Sequence, residues 1–557
     1  MQTIKGKVVD IFKRRIYTAK VEYDTHIRNI IECDDDAEND SGYIMPGLVD
    51  AHVHIESSML PPSEFCRLAI RHGTLSVVSD PHEIANVLGI AGINFMLENS
   101  SYLPFSFVFG APSCIPSTLF DNTGTNITSS DIIGLFSNQN LSYLSEMMNY
   151  PGVVNRNAEV MAKIEVARKL GKSIDGHAPG LTGKALREYV SEGISTDHEC
   201  STLVEAEEKI CLGMKILIRE GSAAKNFDSL YPLIEKYPEM VMLCTDDLHP
   251  DDLLKGHINR ILAKGISKGL VLFSLLRTAI VNPVEHYKID LGLLRLGDTA
   301  DFIIVDDLQE FVLRKSFFRG VCLYDRVGEK CSESTHSIPM SVFTQRIDSY
   351  KSGFPNRFGA SKISISDLEV IATSDKLKVI QATDGELFTR QLVCTVKKGQ
   401  VVRSDIDADI LKIVVLNRYH SAKPAIGFIK GFGLKRGAIA STVAHDSHHI
   451  ISVGCDDNSI TSAINHLIDL KGGLTASYNN EQVSLQLDIA GLMSSASGEE
   501  VAQKYEMLNR TVSEMECVLT APFMTLSFMA LLVIPELKLG DQGLFDVSHF
   551  EWTDLFI

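Results

Sequence analysis

No Cys-x-x-Cys pair occurs among the eleven cysteines of this 557-residue chain, which are scattered along its length. That spacing argues against a disulfide framework and suits reduced thiols packed as small apolar side chains. The start, MQTIKGKVVDIFKRR, lacks the apolar core of a secretory signal. A long hydrophobic run is missing too. The most apolar late stretch, FMTLSFMALLVIP (523–535), is too short to span a bilayer and gives way to Glu536 and Lys538. Basic charge is also in deficit. A formal net charge of -18 argues against a nucleic-acid backbone as partner, and is compatible with solubility and a small neutral or cationic ligand. These absences predict a soluble, acidic, cytoplasmic protein with neither nucleic acid nor membrane as partner. Its composition, 45% hydrophobic and 22% charged, is ordinary for a globular chain, and its length suggests about two to four domains.

What the chain does have is a series of short apolar runs between residues 48 and 247, each ending in polar or small residues. They are LVDAHVH (48–54), LSVVSD (75–80), FSFVFGAP (105–112), LSEMM (144–148), SIDGH (173–177), GISTDH (193–198), KILIRE (215–220) and VMLCTDD (241–247). Helix-like segments lie between several of them. PSEFCRLAIRHG (62–73) closes on Gly73 as a C-cap, and NAEVMAKIEVARKLGK (157–172) keeps an apolar face at helical spacing. Strand and helix in alternation predict a parallel sheet, and eight repeats in this length fit a compact (β/α)8 barrel. An open doubly wound sheet is the competing architecture. Ionisable residues favour the barrel: His52, His54, Asp80, Glu146, His177, His198, Arg219, Glu220, Asp246 and Asp247 fall at or near the C-terminal ends of their runs, which a barrel gathers at one mouth.

The expected layout is α/β: a TIM-type barrel over 46–284, a small β-sandwich domain from 1–45 plus 285–345, and a C-terminal α/β domain over 355–557. GLLRLGDTADFIIVDD (292–307) has strand character and is expected to pair with the N-terminal IKGKVVDIF. The C-terminal region has its own strand and helix signals in LKIVVLN and SITSAINHLIDLKGG.

His52 and His54 stand two apart in one run, so they share a face of the strand. With Glu146, His177, His198 and Asp246 they form a set of four imidazoles and two carboxylates, suited to Zn, Mn or Fe rather than Ca or Mg. Glu146 is assigned as a bridge between two ions roughly 3.5–4 Å apart that would activate a shared water. Asp246 is assigned to ligate one ion, take the proton of the attacking water and deliver it to the leaving group. It is chosen over Asp247 because it directly follows the apolar run, although either Asp could instead cap the next helix. HDSHH (445–449) looks metal-like, but adjacent histidines on a strand or loop diverge, and it is assigned a structural role.

With these residues placed, the chain resembles the amidohydrolase superfamily, and within it the adenine deaminase family of bacteria and archaea. PGLVDAHVHIESSM, DPHEIANVLG (80–89), EMMNYPGV (146–153), DGHAPGLTGKAL (175–186), STDHEC (195–200), REGSAAKN (219–226) and CTDDLHPDDLLKGHI (244–258) follow in that family's order. VAHDSHHIISVGCDDNSI and LTAPFMTLSFMALLVIPELKL extend the match towards the C-terminus. The resemblance implies deamination of adenine to hypoxanthine, two divalent ions with manganese the usual one, a bridging Glu in place of a carbamylated Lys, and a homodimer. Purine recognition would then fall to Asp80, His82 and Glu83 after the second strand and to Arg219, Glu220 and Ser222 after the seventh. For DPHE the competing reading is a turn at Pro81 with a capping Asp, and for REGS a buried Arg–Glu pair.

Overall fold

A computed structural model describes residues 1–33, 42–139, 141–326, 353–479 and 481–557. The acidic residues after Cys33 and the 327–345 part of the expected β domain lie outside them.

All eight apolar runs form parallel strands. Five make one curled sheet in chain order: β1 (Leu48–Val53), β2 (Thr74–Ser79), β3 (Ser106–Ala111), β4 (Tyr143–Met147) and β5 (Ser173–Gly176). Three make a second: β6 (Thr196–Asp197), β7 (Lys215–Arg219) and β8 (Val241–Cys244). Isolated parallel bridges pair Ile174 with Ile194 and Val53 with Asp246. The residues of β1, β2 and β8 are buried throughout, which explains near-continuous apolar runs in place of alternation. Helices follow the strands where their caps dictate. Asn157 accepts from the amides of Glu159 and Val160 to open Ala158–Lys169, and Gly171, at φ +63°, follows its end.

The N-terminal strands Gln2–Asp10, Arg15–Tyr23, Ile27–Glu32 and Tyr43–Pro46 join Phe302–Val305, Leu313–Phe318 and Val321–Asp325 in one seven-stranded sheet. Phe302–Val305 does not pair directly with Gln2–Asp10. Tyr43–Pro46 lies between them, parallel to Gln2–Asp10 and antiparallel to Phe302–Val305. The expected sandwich is this single sheet rolled on itself. Tyr23 meets Phe302 and Phe317 edge-on at 5.2 and 5.9 Å, although their strands are separated within the sheet.

The C-terminal region is built on an eight-stranded mixed sheet. Its strand Leu411–Leu416 alternates between two cores. Leu411, Ile413 and Val415 belong to the large core shared with the parallel strands, whereas Val414 and Leu416 pack with Ile460, Ile464 and Leu467 of the helix Asp457–Leu470. That helix opens on Asp456, whose carboxylate accepts from the Ser459 amide. Fully buried Lys412, on the helix side, donates to Leu368 O and the Asp457 carboxylate. Glu64 and Arg67 of the helix Pro62–Ile70 tie to the later helix Gly498–Glu514: Glu64 accepts from the Gly498 amide and Arg67 donates to Glu499. No helix among the described residues is long and apolar enough to cross a membrane.

The apolar stretch 523–535 is folded inwards, opening with the short helix Pro522–Phe528. Lys538 just beyond it is fully buried and donates to Phe528 O (3.0 Å) and Leu387 O (2.8 Å). Burial pushes its ammonium down to about 7. Between pH 7 and the ordinary lysine range the unfolded chain therefore holds a proton that the folded chain has released, so stability rises with pH across that window. In urea unfolding, the wild type should gain about 2 kcal/mol over Lys538→Gln between pH 7 and 9. A difference independent of pH would contradict this.

Candidate active site

The ends of β1 and β8 are zipped together. The Asp246 amide donates to His52 O at 2.9 Å and the His54 amide donates to Asp246 O at 3.0 Å. Asp246 itself adopts φ +59°, a region that Asp tolerates better than most side chains. Its Oδ1 thereby lies 3.5 Å from His52 Nε2 and 3.2 Å from His54 Nε2. The two imidazoles share a face as their spacing required, with Nε2 atoms 3.3 Å apart. His54 is oriented by a 3.1 Å contact of its Nδ1 with Asp80 O. Asp247, one residue on, accepts from Ser57 Oγ instead. Neither Asp caps the following helix Pro250–Lys255, whose N-cap position is held by His249.

Glu146, at the end of β4, sits at the centre of this group. Oε1 lies 3.4 Å from His54 Nε2 and 3.2 Å from His82 Nδ1, while Oε2 lies 2.8 Å from His177 Nδ1 and 3.2 Å from His198 Nε2. Burial alone would raise its carboxyl, yet the hydrogen-bonding imidazoles of His177, His198 and His82 hold it well below the usual carboxylate range. Asp246 shows the same contest: burial raises it, and the Arg219 guanidinium with His52 and His54 outweighs that. His198, in turn, is lifted to about 9 against burial by Glu146 and Asp246. His52 goes the other way, lowered by burial and by the His198 ring stacked 4.2 Å away.

The donor set fits a divalent transition ion. Ligand atoms of His52, His54 and Asp246 lie within 4.8 Å of one another, as do those of His52, Glu146 and His198. His177 Nε2 is buried without a hydrogen-bond partner. Carboxylates gathered this deep need cationic compensation, which imidazolium or metal would provide.

Of the six residues expected at the substrate, His82 and Glu83 line the cleft. Asp80 lies with Oδ2 3.2 Å from His82 Nδ1, outside the cleft lining. Arg219 reaches the cleft as an ion pair. It donates to both oxygens of Glu199 and, at 2.7 Å, to Asp246 Oδ2, the buried Arg–Glu arrangement set beside substrate contact for REGS. Glu220 and Ser222 do not line this cleft. Arg219 faces the cleft, so the next side chain points away: Glu220 meets Lys264 Nζ at 3.0 Å, and Ser222 Oγ donates to Asp252 Oδ2 at 2.8 Å.

Two features went unread in the sequence. Glu199 lies beside His198 and 3.6 Å from His177 Nδ1. The other is that the HDSHH segment, assigned a structural role from the sequence, reaches the cleft. His445 Nδ1 contacts Glu83 Oε1 at 2.5 Å and His448 Nε2 contacts Glu83 Oε2. Burial would raise Glu83, but His445, His82 and His448 keep it well below the usual range. Asp446 lies beside them. Leu387, Phe528, Leu531 and Ile534 complete the lining with an apolar roof, so the stretch 523–535 covers the chemistry rather than merely filling a core.

Residues 43–323 match the amidohydrolase family and residues 386–551 match the adenine deaminase C-terminal domain. The chain is 49% identical to an adenine deaminase from Methanosarcina mazei over 100% of both chains. It is 49% identical to one from a Sulfurovum species over 99% of both. Among solved structures, a β-aspartyl dipeptidase from Fervidobacterium islandicum aligns with TM-score 0.44 and 18% identity, over 60% of this chain and 99% of that one.

The central position of Glu146 generates a test independent of turnover. Glu146→Ala, purified after manganese supplementation, should hold less metal per chain than the wild type by elemental analysis. Unchanged metal content would move the bridging role elsewhere.

Proposed function

The chain belongs to the adenine deaminases of the amidohydrolase family, and on that footing we propose that it hydrolyses adenine to hypoxanthine and ammonia. The observation that carries this reading is that the likeness runs through both the parallel-strand region and the C-terminal region, whose residues line one cleft. We take the two parallel sheets as one (β/α)8 barrel over 46–284, with the bridges Ile174–Ile194 and Val53–Asp246 as its seams. The small β domain would be 1–45 plus 285–345, and the C-terminal domain 355–557. A cytoplasmic homodimer is part of the same proposal and rests on kinship alone.

His52, His54, Glu146, His177, His198 and Asp246 would hold two divalent ions, manganese first, with iron or zinc as alternatives. Such ions, when bound, lower the pKa of water and polarise the carbon it attacks. Glu146 offers one oxygen to His54 and His82 and the other to His177 and His198, which suits a bridging carboxylate. Asp246 is kept ionised by Arg219, so it accepts the proton of the attacking water as C6 of the purine becomes tetrahedral. It then returns that proton to the departing amine; as the bond from C6 to that amine breaks and ammonia leaves, the second proton of the water ends on N1 and the ring is left with a carbonyl at C6. Arg219 is held in place by Glu199 and serves as the positioning residue for Asp246. Lining the cleft supports His82 and Glu83 as contacts to the purine; Arg219 also lines it but is engaged by Glu199 and Asp246, and Asp80, Glu220 and Ser222 lie outside the lining. The roof of Phe528, Leu531 and Ile534 keeps bulk water from the reacting centre.

Manganese-loaded protein should release one ammonia per adenine consumed, followed by the absorbance change from adenine to hypoxanthine. Turnover of cyclic amides such as hydantoins with adenine untouched would overturn the assignment. Asp246→Asn should retain most of its metal and lose about 10²- to 10⁴-fold in kcat. Near-normal kcat in that variant would remove Asp246 from proton transfer.

A further inference from the structure

We propose that Asp446, from the C-terminal region, is the residue that binds the five-membered ring of the purine, accepting its N9–H and so selecting the free base over N9-substituted purines. The inference rests on the adenine reading above and adds a residue and a specificity to it.

The argument starts from which carboxylates in the cleft are already engaged. Glu146 and Asp246 are surrounded by imidazoles and Arg219, Glu199 is gripped by Arg219, Glu83 by His445 and His448, and Asp247 by Ser57. Asp446 is 3% exposed, and among the carboxylates lining the cleft it alone keeps a buried oxygen, Oδ2, without a hydrogen-bond partner. A buried oxygen of this kind demands a donor. The protein supplies none to it within the described residues, and the cleft it lines is where the substrate enters.

Position agrees with chemistry. His82 presents Nδ1 to Glu146 Oε1 at 3.2 Å and Nε2 to Asp446 Oδ1 at 3.9 Å. His82 thus stands between Asp446 and Glu146, and all three line the same cleft. With C6 beside Glu146 and Asp246, the five-membered ring turns towards Asp446. The roof is apolar: Phe528, itself stacked on His445 (17°, centroids 4.9 Å apart), stands with Leu387, Leu531 and Ile534 over the cleft and offers a heterocycle apolar surface. A carboxylate is an acceptor, so it pairs with N9–H and has nothing to offer a purine whose N9 carries a substituent. A site built on such a pair rejects analogues lacking the N–H, because its oxygen is then left unpaired.

The test uses full-length, manganese-loaded wild type, Asp446→Asn and Asp446→Ala, with metal content measured on each. Both variants should keep their metal and raise KM for adenine about 10- to 100-fold, with a much smaller change in kcat. Hypoxanthine shares the N9–H and is not consumed, so its affinity by titration calorimetry should fall by a similar factor without any dependence on turnover. The preference of the wild type for adenine over 9-methyladenine should narrow at least tenfold in Asp446→Ala. Unchanged KM and hypoxanthine affinity, or an unchanged preference, would overturn the proposal. Loss of metal from Asp446→Asn would overturn it as well, by assigning the carboxylate to the metal centre. A wild type that leaves adenine untouched would refute the activity itself, a result separate from any of these.

Discussion

The rest of the site depends on burying Glu146 as an anion. A carboxylate taken out of water at the end of a strand is untenable without cationic or strongly polar partners on both oxygens. Here those partners come from four separate places in the chain: His54 from β1, His82 after β2, His177 after β5 and His198 after β6. Each of these imidazoles must in turn be held, which explains the Asp80 carbonyl on His54 and the Arg219–Glu199 pair behind Asp246. The parallel arrangement makes this possible within a short length of chain, because it brings successive strand ends to one edge.

The same electrostatic demand ties the two halves of the chain together. Glu83 follows β2, yet its ionised state depends on His445 and His448, more than 360 positions later. The large core runs without a break from the parallel strands into the C-terminal sheet, and Glu64 and Arg67 anchor the helix Gly498–Glu514. The roof over the cleft is therefore fixed by ion pairs and packing at once.

Much of this was legible in the sequence where one local rule governs. The strand positions followed from apolar runs that end at ionisable residues, and the shared face of His52 and His54 followed from the two-residue period. The same rule separates Arg219 from Glu220, although both are expected at the substrate from the sequence. It lapses where the strand stops. Strand β6 consists of Thr196–Asp197 alone, so His198 and Glu199 both lie in the loop beyond it and both reach the cleft. Glu199 was missed for that reason. The sequence favours Asp246 over Asp247 because it directly follows the apolar run; the backbone bonds to His52 and His54 that set Asp246 Oδ1 beside their rings are visible only in the fold. The HDSHH segment carried no local sign of its destination, since its partner Glu83 is brought to it only by the assembled fold. The rolled β sheet was half legible: the right strands were recognised, but the four residues Tyr43–Pro46 that separate them were not.

The strand Leu411–Leu416 serves two interiors with alternate side chains. A deletion or insertion of one residue early within it would turn the later side chains of the strand to the opposite layer, sending Val414 and Leu416 towards the parallel strands and Val415 against the helix. Frame errors in this short segment would thus be felt twice, once in each compartment. Its tolerance to length change is set by geometry, whatever apolar residues occupy it.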